Sequence, residues 1–151
     1  MEKTLLQISS NSSLALFSKM KFGDIGFDPL DSKHELNIVE QTNQSSTYLA
    51  SFYALEILFT DYPKLAPFKL NLGTASGSDI ESECGELAGE IFAAVAPTSN
   101  QKLKKDINKV LATNARLKFV FFMCPNFELG RQPKLERDGV IIWALKGANR
   151  I

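Results

Sequence analysis

Residues 86–95, ELAGEIFAAV, alternate as an extended chain with two different faces. Ile91, Ala93 and Val95 fall on one face; Glu90, Phe92 and Ala94 fall on the other. A break, PTSN, follows and offers Ser99 or Asn100 as a helix cap. QKLKKDINKVLAT, residues 101–113, then has helical spacing. Leu103, Ile107, Val110 and Leu111 make its apolar stripe, and Lys102, Lys105 and Lys109 line another side. RLKFVFFMC, residues 116–124, is an apolar strand suited to the centre of a sheet. A helix joining two strands in this way requires a crossover, so at least one strand pair is expected to be parallel.

The rest of the chain supplies elements to surround that unit. NIVEQTNQSSTYLASFYALEILFTDYP, approximately 37–62, is a long helix, apolar on most faces after Thr47 and ended by Pro63 and Pro67. FKLNLGT, residues 68–74, alternates as a strand, and ASGSD turns the chain. DIESE, residues 79–83, is either a second strand or the bend leading directly into 86–95. VIIWAL, residues 140–145, is a last strand. GDIGFDPLDS and FELGRQPKLERDG are loops, and Leu14, Leu16 and Phe17 sit on a short helix. The expected fold is α/β (α+β), one domain over 1–151 with a mixed central sheet flanked by helices. Its core would span 37–146, with 1–36 as an extension packed on it.

Composition narrows the chemistry. His34 is the single histidine, in a loop, and Cys84 and Cys124 are the two cysteines. A zinc site, a disulfide framework and a Ser-His-Asp triad are therefore all poorly supplied. A bound ion would be hard and held by oxygen, as Mg²⁺ or Mn²⁺ is. No apolar run nears the ~20 residues of a membrane span, and no basic-then-apolar leader is present. The expectation is a soluble, cytoplasmic protein without membrane contact. The 11 Phe argue for a packed core. Net charge is zero, but residues 1–98 carry 13 Asp/Glu against 6 Lys, while 99–151 carry 11 Lys/Arg against 4 Asp/Glu. Such a split lets one face collect cations and another meet phosphates, or lets the two halves attract each other within the fold.

The order helix, strand, strand, helix, strand, strand, with Asp79 before one strand and Glu90 within it, resembles the PD-(D/E)XK nuclease superfamily, which includes restriction-type endonucleases. Its core is a helix, a three-stranded meander, a helix and a further strand. The resemblance covers roughly residues 37–146. It implies that Asp79 and Glu90 ligate Mg²⁺ or Mn²⁺, that the reaction is hydrolysis of DNA phosphodiester bonds, and that the protein works as a homodimer. Glu40, near the start of the long helix, would match the helix carboxylate of some branches.

The sequence departs from that pattern at position 92, where Phe stands in place of the lysine. The lysine orients or deprotonates the attacking water and stabilises charge at phosphorus. Three solutions are open. A lysine has moved, with Lys102 the first choice and Lys105 or Lys69 the others. A Gln or Asn orients the water, with Gln41 and Gln44 available and Asn100 placed after the strand. Or the domain is a catalytically inactive nuclease fold that binds nucleic acid or a protein partner. Lys104, Lys105, Lys109, Arg116 and Lys118 would face DNA phosphates, and Arg131, Lys134 and Arg137 would approach a groove. The plainer readings are that Glu90 is a guard charge on an edge strand and that Asp79, Glu81 and Glu83 form a solvated turn. On the same footing the lysines of 101–113 form a wet helix face, and Phe119, Phe121, Phe122 and Trp143 are core.

Overall fold

The computed structural model describes residues 13–72 and 77–147. The chain divides into two compact units, residues 1–46 and 47–151, and the division falls inside a helix. In the first unit, α1 (Ser13–Phe22) is followed by two short strands, β1 (Gly26–Phe27) and β2 (Glu35–Leu36), which pair antiparallel. Asp28 is buried between them in sequence and fixes the turn: its Oδ1 accepts from the amides of Leu30 at 2.8 Å and Asp31 at 3.2 Å. The long helix α2 (Ile38–Asp61) then starts on a reciprocal cap. Glu40 N donates to Asn37 Oδ1 at 2.9 Å, and Asn37 N donates to Glu40 Oε2 at 3.2 Å.

The second unit is built on a six-stranded mixed sheet of order β3-β4-β5-β6-β8-β7. Its strands are β3 (Phe68–Leu70), β4 (Ile80–Ser82), β5 (Leu87–Ala93), β6 (Leu117–Met123), β7 (Gly130–Arg131) and β8 (Ile141–Ala144). β3, β4 and β5 form an antiparallel meander. Helix α3 (Lys102–Leu111) crosses over, and β6 lies parallel to β5, with β8 parallel to β6. The expected crossover and parallel pairing are both present. DIESE contributes a strand of its own, which the sequence had left open, and Gly130–Arg131 pairs antiparallel with β8 where only a loop was expected. The expected end of the 68–74 strand and part of the ASGSD turn lie outside the described residues.

Alternation decides what each side of the sheet touches. Ile91 joins Ala50, Ala54, Leu58, Phe119 and Phe121 in one core, beneath the part of α2 that belongs to this unit. Phe92 joins Leu103, Ile107, Val110, Val120 and Phe122 in the other, beneath α3. Ala50, Ala54 and Leu58 recur every fourth residue, so they lie in one row of the helix face that meets the strands. Gly89 makes the centre of the meander possible: a Cβ there would lie 3.0 Å from Ile80 Cγ2 and 3.3 Å from Phe119 Cβ. The β4–β5 turn is tied by Ser82, whose buried Oγ accepts from Leu87 N at 2.9 Å, and Gly85 takes a left-handed φ of 75° there. Among the described residues no helix is long and apolar enough to cross a membrane.

Candidate active site

Glu90 is at the middle of β5, on the face that α3 covers, and is 1% exposed. β5 is an interior strand, between β4 and β6 in the sheet, so Glu90 is not on an edge strand. The reading of Glu90 as an edge guard charge is thereby corrected. Burial raises the Glu90 pKa, the Lys109 hydrogen bond opposes that rise, the Asp79 charge adds to it, and the net value is about 7.

Asp79 reaches the same place from the start of β4. Its Oδ2 accepts from Ile91 N at 2.7 Å, one residue beyond Glu90. That bond fastens the carboxylate to β5 past the point where the β4–β5 ladder ends, so Asp79 and Glu90 are held together by backbone. Asp79 Oδ1 is left facing Lys109 Nζ at 4.0 Å.

Lys109 completes the group. It lies two residues from the end of α3, and its Nζ donates to Glu90 Oε2 at 2.6 Å. Its side chain is 49% exposed, so the ammonium stands at the mouth of the site with Glu90 beneath it. Burial acts to lower the Lys109 pKa, but the hydrogen bond and charge of Glu90, then the charges of Asp79 and Asp106, outweigh it and hold the pKa above the usual lysine value. Lys109 therefore carries its proton at neutral pH.

Lys102, the first choice from sequence, does not reach Glu90. Its Nζ donates to Asp106 Oδ1 at 2.7 Å and stands 5.7 Å from the centre of the Phe92 ring. The physical reason is direction. The helix joining two parallel strands runs back against them, so the start of α3 lies near the end of β5 and its end lies near β5's middle. Seven residues of helix span about 10 Å, which separates Lys102 over Phe92 from Lys109 at Glu90. Phe92 itself is 3% exposed and stacks on Phe122 with ring centres 6.0 Å apart. A lysine at 92 would drive its ammonium into the apolar layer under α3; a lysine on α3 reaches Glu90 from outside.

Glu40 is occupied in the cap of α2, and Gln44 lies on the same stretch of that helix, both in the first unit. Asn100 is exposed, with a left-handed φ of 51°, and Gln101 follows at 57°. Neither Ser99 nor Asn100 caps α3: its N-cap is Gln101, without a side-chain hydrogen bond. Of the residues expected to face phosphates, Lys104 and Lys105 are exposed on α3. Arg116 Nη2 is bonded to Glu86 Oε2 at 2.9 Å. Lys118 Nζ donates to the carbonyls of Thr113 at 2.9 Å and Leu111 at 3.2 Å, where it caps the C-terminal end of α3. Arg131 pairs with Glu136 at 2.6 Å. The basic half of the chain is thus partly spent on internal contacts.

Two carboxylate oxygens in this region, Glu90 Oε1 and Asp106 Oδ2, are buried without a hydrogen-bond partner. Among the described residues no group of three His, Cys, Asp or Glu side chains is gathered so as to hold a metal. An ion here would rest on two carboxylates, Asp79 and Glu90, with Asp79 Oδ1 and Glu90 Oε1 as the oxygens not taken by Ile91 or Lys109. Two carboxylate oxygens, completed by water and substrate oxygens, are a donor set that Mg²⁺ or Mn²⁺ accepts. No protein-family model, curated protein or solved structure matches the chain.

Proposed function

We propose that this chain is a metal-dependent nuclease-like protein that hydrolyses DNA phosphodiester bonds, with Asp79, Glu90 and Lys109 as its catalytic residues. The observation that carries the reading is the 2.6 Å contact by which Lys109, from the helix after the meander, meets Glu90 beside Asp79. The order of helix, antiparallel meander, crossover helix and parallel strand supports it, since the PD-(D/E)XK core that the sequence resembles has that order.

Each side chain has a separate task. Asp79 and Glu90 would each offer one oxygen to a metal; their other oxygens are held by Ile91 N and Lys109 Nζ, which keeps the carboxylates from turning. Mg²⁺ or Mn²⁺, when bound, lowers the pKa of a water and neutralises negative charge at the phosphate. Lys109 keeps its proton, so it orients the attacking water and stabilises the charge that develops on the phosphate oxygens. Phe92 and the α3 core close the floor behind Glu90 and exclude bulk water from it. A homodimer would present two such sites, one to each strand of a duplex. The cytoplasm, where DNA and Mg²⁺ occur together, is the setting this chemistry suits.

A second reading has its own observation in favour. Lys109 already balances the charge of Glu90, so the triad also serves as a structural ion pair in a domain that binds nucleic acid or protein without cutting. Plasmid cleavage separates the two. The purified protein, incubated with supercoiled plasmid and Mg²⁺ or Mn²⁺, is expected to nick or linearise it, and Asp79→Ala and Glu90→Ala to abolish that. Absence of cleavage, together with absence of metal binding by calorimetry, favours the silent domain.

A further inference from the structure

Asp106 is not one of the three residues of the triad, yet it is a carboxylate buried on α3, 3% exposed. It sits on the same side of α3 as Lys109 and Lys102. Its Oδ1 accepts from Lys102 Nζ at 2.7 Å, and its Oδ2 is buried without a partner. Burial raises its pKa, a rise that Lys102 opposes. A half-satisfied buried carboxylate is a costly way to fill a helix face. Lys102, 43% exposed, would be equally well solvated without it. What Asp106 does achieve is to fix the position of one flexible ammonium. That ammonium stands over the ring of Phe92, two residues along the same strand face from Glu90.

We propose that Lys102 is a substrate-phosphate ligand of this site and that Asp106 is the positioning residue that holds it there. The inference rests on the nuclease reading and deepens it: the substrate is a polyanionic strand, whose phosphate at Glu90 is met by Lys109 and whose adjoining phosphate is met by Lys102. A lysine free in solvent samples many rotamers; one tethered at 2.7 Å has already lost that freedom before substrate arrives. The two lysines are rooted about 10 Å apart along the axis of α3, a spacing of the same order as one to two nucleotide steps of a strand.

The test is binding of a short fluorescein-labelled DNA duplex, by anisotropy, over a range of salt with Ca²⁺ in place of Mg²⁺. Wild type, Lys102→Met and Asp106→Asn are compared, with circular dichroism reporting the fold of each. Lys102→Met is expected to weaken binding about tenfold and to reduce the salt slope by about 0.9, the value for one phosphate contact. Asp106→Asn is the discriminating variant. Removing a negative charge near a phosphate site strengthens binding if Asp106 is only a local charge. If it positions Lys102, the same change weakens binding by several fold. Lys102→Gln stands in for Lys102→Met if that variant loses its fold. Wild-type affinity and slope in the Lys102 variant, or tighter binding by Asp106→Asn, would overturn the proposal while leaving the nuclease reading intact. Failure of the wild type to bind duplex would remove both.

Discussion

Glu90 is where burial and charge are most directly opposed. Its neighbours in β5 are apolar, it is 1% exposed, and one oxygen lacks a partner. Its pKa of about 7 is raised from 4.5, so the folded protein binds a proton there more tightly than the unfolded chain does. The stabilisation from that proton is complete below pH ~4.5 and is lost as pH rises through about 7. In chelator-treated protein, Glu90→Gln removes this dependence. Urea unfolding at pH 5 and pH 8 is expected to show wild type losing stability relative to Glu90→Gln over that interval, by at most about 3 kcal/mol. A constant difference between the two would mean Glu90 is ionised throughout. Lys109 gives the matching activity prediction. Lys109→Met is expected to reduce cleavage at least 100-fold, while Lys64→Met, at an exposed lysine before β3, changes it by less than about threefold. Equal effects from the two would place Lys109 among ordinary surface charges.

At the scale of elements, the strands and helices were largely legible. Period-two alternation in 86–95 assigned Ile91 and Phe92 to opposite faces, and the two cores lie there. Apolar spacing in 101–113 identified Leu103, Ile107 and Val110 as the face α3 buries. β7 was not legible, because two residues carry no periodicity. The choice between Lys102 and Lys109 was also missed, although a signal existed. Both lie on one side of the helix, and only the antiparallel run of a crossover helix over its strand decides that the later one returns to Glu90. Lys118 was misread for a different reason: a basic residue in a basic segment gives no sign that it caps the carbonyls of Leu111 and Thr113. Lys118→Met is accordingly expected to lower stability by about 0.5–1 kcal/mol, measured by denaturant unfolding. Gly89→Val is expected to do more, about 1–3 kcal/mol, because a side chain there meets Ile80 and Phe119 at contact distance. Wild-type stability in Gly89→Val would mean that β4 and β6 relax away from the strand that carries Glu90.

For the whole molecule, the division of charge acquires a structural sense within the second unit. The acidic residues that matter come from the meander, Asp79 before β4 and Glu90 in β5, and the basic ones come from the helix that follows, Lys102 and Lys109. The crossover brings those two stretches of opposite sign onto one face of the sheet. The fold therefore places two carboxylates under a lysine-bearing helix, and the proposed metal-dependent hydrolysis rests on that arrangement. The measurement that tests this most directly is a time course of supercoiled plasmid with Mn²⁺, comparing wild type with Asp79→Ala, Glu90→Gln and Lys109→Met at equal folded concentration. Cleavage by wild type is expected, with its loss on chelation and in all three variants. Cleavage that persists in Glu90→Gln and Lys109→Met would contradict that proposal.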